Sequence, residues 1–580
     1  MEKIWKLNFL FQEDLEEKRE LTSLIEQYRA TKARIQIPEK LLRILFTRGV
    51  KNLGDLIKFF KPDKTRLYDP FLMKDCDKAT ERVLKAIENR EKIMVLGDYD
   101  VDGICGASMF YLFFKEYDLN AEVYIPNRLT EGYGVSIAAI DYALKKDVSL
   151  IISVDCGITA NEQIDYANQK GVDFVVCDHH KPPPDIPRAV AVMNPSREDC
   201  NYPCKCLCAT GVAFKLIQSL ASQKGNIEFA YSLLDFVALA TVSDIVPIID
   251  ENRIFVTEGF KLINENPRPA IRTLLNKIGY QENMILNVNT IVYSVAPRIN
   301  AVGRLGDAKR AVELLTSEDP AKLNELATTL DEENYNRREK DKKITEEAIE
   351  LFESLKTKKL YHSIVLHKED WHAGVIGIVA ARLVERYNLP TVILTTINGV
   401  AKGSGRSVNG FNLYEAVKQC EEYVMQFGGH NHAVGIEIEL HNLKPFWEKF
   451  DSIAREHLSQ QNSKNEIEID AEISLDEINA AFLGVLKFFE PYGPGNPVPT
   501  FITKDVRLIS PQEVRNDTLL FSVKSTSGTS KNFEAILFNA SEYKDKIKDD
   551  IECDICYTID LNEWNGKAMY KFRVKDIRFK

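Results

Sequence analysis

No apolar run in the 580 residues approaches the roughly 18 consecutive positions that a membrane span requires, so no transmembrane segment is expected. The N-terminus, MEKIWKLNFLFQEDLEEK, turns acidic at once and lacks an apolar core followed by a small-residue cleavage site, which argues against a secretory leader. The 11 cysteines are odd in number and scattered, which disfavours a disulfide framework and suits a reducing compartment. Positive charge is not in excess. Lys and Arg number 75 against 86 Asp and Glu, a net charge of −11, which argues against a general nucleic-acid coat protein but leaves room for a local basic groove. There is no internal repeat and no low-complexity tract. The remaining reading is a cytoplasmic globular chain of ordinary composition, 44% hydrophobic and 28% charged. Its length exceeds what one hydrophobic core usually supports, so three or four domains are expected.

Against that background three segments stand out: KIMVLGDYDVDG, SLIISVDCG and VDFVVCDHH. Each runs a short apolar stretch into acidic or imidazole residues, delivering Asp98, Asp100 and Asp102, then Asp155, then Asp178, His179 and His180. Each apolar stretch is bounded by turn chemistry and followed by a helix-like pattern, which predicts buried strands. In a parallel sheet the carboxyl ends of the strands lie along one edge, where ligand sites form. The three clusters are therefore expected to converge. Carboxylates packed that closely cannot all stay ionised without cations between them. Oxygen donors with an imidazole suit Mg²⁺ or Mn²⁺ better than a thiolate-seeking metal. The pattern points to a metal-dependent phosphoester-cleaving centre.

The rest of the chain divides by pattern. Residues 1–90 read as a helical segment, with apolar spacing in Leu41, Leu42, Ile44 and Leu45 and again from Leu53 to Phe60. Residues 91–328 alternate strands and helices, the mark of an α/β domain. Residues 329–356 are strongly charged, without Gly or Pro, and read as a long exposed connecting helix. A second α/β unit is expected over 357–460. Residues 461–580 show period-2 strands that suggest a small barrel, an OB-type fold being one candidate. The fold class is thus α/β, with two α/β lobes joined by a long helix, a helical N-terminal segment and a C-terminal β-barrel.

Several constellations have bland explanations. Asp98-Tyr-Asp100-Val-Asp102-Gly103 could be mistaken for a calcium loop, but the later glutamate such a loop needs is absent, with Gly106 to Phe110 apolar. Cys200, Cys204, Cys206 and Cys208 lack the paired C-x-x-C arms that structural zinc sites favour, so no zinc is assigned. Cys553 and Cys556 form one C-x-x-C without a second pair and are expected to be inert. Phe521, Phe533, Trp564, Tyr570 and Phe572 could stack bases, but such residues are more often barrel core. Arg298, Arg304 and Arg406 lie in glycine-containing loop-like segments where guanidinium could grip phosphate, although loop arginines usually make surface ion pairs.

GDYDVDG, VDCG and DHH resemble the signatures of the DHH phosphoesterase superfamily, and SGRS (404–407) with GGH (428–430) resemble its associated DHHA1 domain. LYDPFLMKDCDKA, IPNRLTEGYG, APRINAVGRLGDA, WHAGVIGIVAARL and FEPYGPGNPVP, spread over most of the chain, resemble the RecJ family of single-strand-specific exonucleases. That resemblance implies metal ligation by Asp100, Asp102, Asp155 and His179, with Asp155 bridging two ions, and by Asp244 in ATVSDIVP. The wider superfamily usually begins its first motif with a histidine where this chain has Leu96, and Asp98 is the substitute ligand on offer. His180 would face the phosphate and Asp178 would orient an imidazole. Arg304, Ser404, Gly405, Arg406, Gly429 and His430 would bind the phosphate and the nucleotide end.

The resemblance implies a 5′-to-3′ exonuclease that hydrolyses single-stranded DNA with two divalent cations, Mn²⁺ or Mg²⁺, in recombination and repair. A single-strand-binding protein is a candidate partner, and no membrane is involved. Two rival readings remain: a phosphodiesterase of oligonucleotides or cyclic dinucleotides, and a non-catalytic single-strand-binding scaffold on the same fold. The first rival is typically shorter, and the second loses metal ligands that are all present here.

Overall fold

In the computed structural model, each of the three apolar runs that end in acidic residues forms a strand, buried throughout except at Asp173, which opens the third. The structure describes residues 3–8, 15–31, 36–127, 131–281, 284–357, 360–460, 466–514, 517–526, 531–564 and 567–580, without the side chains of 15, 458–460 and 561–569. The runs are β1 (Ile93–Gly97), β3 (Leu150–Val154) and β4 (Asp173–Cys177); β2 (Glu122–Tyr124) and β5 (Ala191–Met193) complete a parallel sheet of order β2-β1-β3-β4-β5. Alternate side chains divide between the faces. Met94, Leu96, Ile151, Phe174 and Val176 join a core with helices Ile137–Lys145 and Asn161–Gln169. The opposite face packs against Val101–Glu116 and Ala209–Gln223, helices buried along most of their length.

The ladder continues one residue past each strand. Asp98 N–H donates to the Val154 carbonyl at 3.2 Å, Asp155 N–H to Cys177 at 3.0 Å and Asp178 N–H to Met193 at 3.1 Å. The acidic residues are therefore fixed by sheet hydrogen bonds rather than left on free loops.

A second sheet comprises β6 (Ile364–His367), β7 (Thr391–Ile397), β8 (Val400–Arg406), β9 (Gln426–His430) and β10 (Ala433–Glu439), in the order β9-β10-β8-β7-β6. Its register sets Ala433 opposite both Arg406 on β8 and His430 on β9, so these two residues end the strands that flank β10, at the same end of the sheet.

The charged stretch lies in a helix, Pro320–Lys356, with Asp319 capping the Ala321 N–H. Contrary to the expectation of an exposed strut, Leu323, Leu326, Ala327, Leu330, Ile344, Ala348 and Phe352 are buried along one stripe. Another helix, Ala296–Leu305, packs on it, and Arg298 pairs with Asp331 at 2.7 Å. The charge run describes only the solvent side of an amphipathic helix.

The chain forms two compact units. One holds Asp69–Asp244 and Gly259–Ser463, and the other Met1–Tyr68, Ile245–Glu258 and Lys464–Lys580. In the latter, strands Thr500–Val514, Thr518–Ser525, Asn532–Phe538, Lys567–Phe579 and Ile551–Trp564 pair in that order, and the last closes on the first. This closed five-stranded barrel, with one parallel pair between the third and fourth of these strands, is an OB-type fold. Leu41, Leu45 and Phe46 from the N-terminal helices share its core with Phe501 and Tyr557. The first 90 residues are not purely helical: Ile4–Leu7 is a strand paired in parallel with Glu466–Ile469. Four residues are too short to show a period, and the partner lies far along the chain.

Phe521 and Phe572 are buried in the barrel, with Phe533 and Tyr570 packed against them, so the core reading holds for these four; the side chain of Trp564 lies outside the described residues. Cys553 and Cys556 are fully buried, and burial raises each thiol to about 12. Cys200, Cys204 and Cys208 are buried too, and among the described residues no cysteine joins a cluster able to hold a metal.

Gly97 and Gly103 let the loop between β1 and the next helix fold back on itself, since a Cβ on Gly103 would strike the Asp98 backbone. Gly103→Ala is expected to destabilise the protein by about 1–3 kcal/mol and to displace Asp98. A thermal melt with an unchanged midpoint would show that the loop relaxes freely.

Candidate metal centre

The chain leaves β1 toward β2 on one side and returns to β3 on the other, which makes the β1–β3 boundary the topological switch point where such sheets open a crevice. The loop after β1 brings Asp98, Asp100 and Asp102 there, and the residue after β3 is Asp155. Asp178, His179 and His180 follow β4. Asp244 arrives from elsewhere, at the carboxyl end of helix Leu234–Ser243.

Helix amino termini hold two of the carboxylates. Asp100 caps helix Val101–Glu116, accepting from the N–H groups of Asp102 and Gly103. Asp102 accepts from the Ala209 and Thr210 N–H groups, both at 2.7 Å, at the start of helix Ala209–Gln223. Positive helix ends and free amides favour the anions, and each carboxylate oxygen keeps a further lone pair for a cation. The Asn300 side chain braces the loop by accepting from the Val101 N–H at 3.0 Å, and a Cβ on Gly303 would strike the Tyr99 backbone.

Asp155 has φ +65°, in the left-handed region, and Gly157 follows at φ +116°. This turn is stored strain of order 1–3 kcal/mol at the strand end, and it aims the carboxylate into the crevice. Asp178 is buried and accepts from the N–H groups of Ile158, His179 and His180 and from His180 Nδ1 at 2.7 Å. Asp178 thus orients His180 rather than His179. Tyr133, which sequence reading did not single out, donates its hydroxyl to the Asp155 carbonyl at 3.0 Å and lies 3.1 Å from His180 Nε2. It belongs to the IPNRLTEGYG motif, of which residues 128–130 lie outside the described residues.

The donor atoms converge. His179 Nε2 is 3.3 Å from Asp155 Oδ1, 3.6 Å from Asp244 Oδ2 and 4.0 Å from Asp102 Oδ2. Three groups have donor atoms within 4.8 Å of one another: Asp102–His179–Asp244, Asp98–Asp100–Asp155 and Asp155–His179–His180. Asp155 Oδ1 is buried and accepts no hydrogen bond. A buried carboxylate oxygen with no donor is costly unless a cation faces it.

Electrostatics tell the same story. Burial, then Asp102, Asp100 and Asp98, drive the Asp155 carboxyl far upward. Burial and Asp102 raise Asp100, and burial with Asp102 and Asp100 lifts Asp244 to about 8. Burial lowers His179, which suits a neutral imidazole ligand. Burial also opposes charge on His180, but the Asp178 hydrogen bond and charge outweigh it and raise the ring to about 9. The donor set of carboxylates and imidazole, unstable as a group of bare anions, fits hard divalent cations.

Sequence-predicted residues beyond this cluster come from the second sheet and from helix Ala296–Leu305. Arg304 donates to the Gly374 carbonyl at 3.2 Å, and its charge favours ionised Asp100. Arg406 donates to Ser404 Oγ at 2.8 Å and to the Gly405 carbonyl, and the absence of a side chain on Gly377 leaves room beside its guanidinium. His430 is lowered by burial, then by His432, Arg406 and His180, so its ring lies in the electrostatic field of both the second sheet and the DHH strand end. Gly429 has φ +144°, and a Cβ there would strike the Ala433 carbonyl. Arg298, by contrast, is engaged by Asp331 and by the Ser294 carbonyl.

The chain matches the DHH family N-terminal domain over residues 92–241, the DHHA1 domain over 356–456 and the RecJ OB domain over 469–576. It is 33% identical to the single-stranded-DNA-specific exonuclease RecJ of Bacillus subtilis, covering 93% of this chain and 68% of that protein. The RecJ of Dickeya dadantii is 30% identical, over 93% of this chain and 96% of its own length. Among solved structures, Thermus thermophilus RecJ in complex with Mn²⁺ aligns with a TM-score of 0.81 at 23% identity, covering all of this chain and 80% of that one. An exonuclease RecJ bound to manganese aligns with a TM-score of 0.59 at 28% identity, covering 67% of this chain and 97% of that one.

Asp155→Asn separates a cation site from an ordinary buried aspartate. In chelator the neutral isostere relieves repulsion, so the variant is expected to be at least as stable as the parent. In Mn²⁺ the parent alone should gain stability by binding the ion. Melts in both conditions test this, and a clear loss of stability in chelator would show that Asp155 serves the fold instead.

Proposed function

Because the chain belongs to the RecJ family of single-stranded-DNA-specific exonucleases, we propose that it hydrolyses phosphodiester bonds of single-stranded DNA, one nucleotide after another from the 5′ end. The observation that carries this reading is the convergence of Asp98, Asp100, Asp102, Asp155, His179 and Asp244 at the switch point of the first sheet. Related structures contain Mn²⁺ or Mg²⁺, and two such ions are the cofactors assigned here. When bound, the ions supply charge neutralisation for the phosphate and a water of lowered pKa.

The protein's own groups do the rest. Asp100, Asp102, Asp155, His179 and Asp244 would hold the cations, with Asp155, a member of two of the donor groups, serving both and Asp98 completing the set. His180, oriented by its hydrogen bond to Asp178, offers a hydrogen bond to a phosphate oxygen. Arg304 and Arg406 offer charge-assisted bonds to phosphate, and Ser404, Gly405, Gly429 and His430 line the nucleotide end. The OB-type barrel suits a strand longer than a dinucleotide, which favours a polymer over a small cyclic substrate. The direction of travel rests on the family resemblance. The same resemblance implies recombination and repair in the cytoplasm, with a single-strand-binding protein as the companion such substrates bring.

Digestion of 5′- and 3′-labelled single strands tests the proposal. Mononucleotides are expected at once from the 5′ label with Mn²⁺ or Mg²⁺, and none in chelator; early release from the 3′ label would reverse the polarity. Cleavage confined to dinucleotides would indicate a small-substrate phosphodiesterase. Arg406→Ala should retain metal binding and lose about 1.5–3 kcal/mol of phosphate interaction, roughly tenfold to a hundredfold in kcat/KM. An unchanged rate at limiting DNA would show that the guanidinium does not reach the substrate.

A further inference from the structure

Helix Ala296–Leu305 bears directly on the metal centre through Asn300, which accepts from the Val101 N–H, and through Arg304, whose charge acts on Asp100. Immediately before it the chain forms a π-helical turn, Ile291–Val295, a rare geometry that recurs at functional sites. Ile291, Val295 and Ile299 are buried and anchor this segment. Tyr293, between the first two, is 77% exposed. Among the described residues its ring makes no aromatic stack and its hydroxyl no hydrogen bond. Tyr293 lies seven positions before Asn300 and eleven before Arg304 on one continuous helical run, its π-helical turn leading directly into the α-helix. Tyr293 therefore stands exposed on the helical run that carries the bracing residues, about two turns before Asn300.

A large aromatic ring held on a rigid turn and presented to solvent is the usual platform for an unstacked base. We propose that Tyr293 is a base-stacking subsite for single-stranded DNA, receiving a nucleobase of the strand a few nucleotides from the scissile phosphate. Nucleic acid rather than protein is the occupant because the same helical run leads to Asn300 and Arg304 beside the carboxylate cluster. Any base has a π face, so the subsite adds grip without sequence preference. This inference rests on the single-strand nuclease reading.

Tyr293→Ala should weaken binding of a 20-nucleotide strand and raise its KM about fivefold to a hundredfold, the range of one lost base stack. Turnover of a dinucleotide, too short to reach the ring, should be unchanged. Tyr293→Phe should behave as the parent, because stacking uses the ring and not the hydroxyl. Moving a single abasic site along the strand should expose one position where the parent loses that same factor and Tyr293→Ala loses nothing more. Full-length affinity unaffected by Tyr293→Ala would overturn the subsite, as would an equal loss on the dinucleotide or failure of the Phe variant. Equilibrium binding reads the same contrast without cleavage, so a parent that binds strands but cuts none would defeat the nuclease reading while still testing Tyr293.

Discussion

Mutual repulsion among Asp98, Asp100, Asp102, Asp155 and Asp244 is the constraint around which the catalytic unit is organised. Burial drives the Asp100, Asp155 and Asp244 carboxyls upward, and the neighbouring like charges add to the effect. The fold counters this with backbone rather than with basic side chains. Asp100 and Asp102 sit on helix amino termini, where free N–H groups donate to their carboxylates, and Asp98 and Asp155 are pinned by sheet hydrogen bonds that run past their strands. Backbone amides neutralise partially and leave lone pairs free, whereas a lysine in the same place would compete with the cation. Asp244 has the opposite setting, at a helix carboxyl end where the dipole disfavours an anion. Its carboxylate therefore gains nothing from its own helix and depends on positive charge from elsewhere.

Positive charge is instead placed around this cluster. His180 is fixed by Asp178 next to the acidic group, while Arg406 ends a strand of the second sheet, across β10 from the neutral-favouring His430. The separation has a physical logic. Cations need converging oxygen donors without competing protein cations, and phosphate needs guanidinium and imidazolium without competing carboxylates. The first sheet gathers the carboxylates at its carboxyl edge and the second contributes Arg406, both within a single compact unit.

Much of this was legible in the sequence because it follows from the end of a strand. Buried parallel strands read as short apolar runs, and a residue just past such a run must lie at the carboxyl edge. Asp98, Asp155 and Asp178 were therefore placed by pattern alone. What could not be read are contacts made by backbone or by remote segments. The Ala209 and Thr210 amides that hold Asp102 have no side-chain signature, and Asn300 reaches Val101 from 199 residues away. Tyr133 stood in a quoted motif, but only the tertiary turn shows its hydroxyl against Asp155. The long helix misled through its charges, although Leu323, Leu326 and Leu330 already spaced a buried stripe before the charged run began.

The barrel unit shows the same limit in a different form. Its core draws on the first 60 residues and on the last hundred, so the N-terminal helices are part of the barrel's packing and not an independent appendage. Arg253, on the short central segment of this unit, donates to the carbonyls of Phe59, Phe488, Phe489 and Glu490. Burial lowers its guanidinium to about 10, yet the nearby carbonyls provide the acceptors a buried cation requires. One arginine thereby ties three stretches of sequence together, with its face over the Phe59 ring at 3.9 Å. No local pattern around Arg253 announces this role, since all its acceptors are main-chain oxygens. A chain whose unit is assembled from three separated segments must complete its synthesis before that core can close, whereas the metal-binding strands, contiguous from Ile93 to Met193, can pair among themselves much earlier.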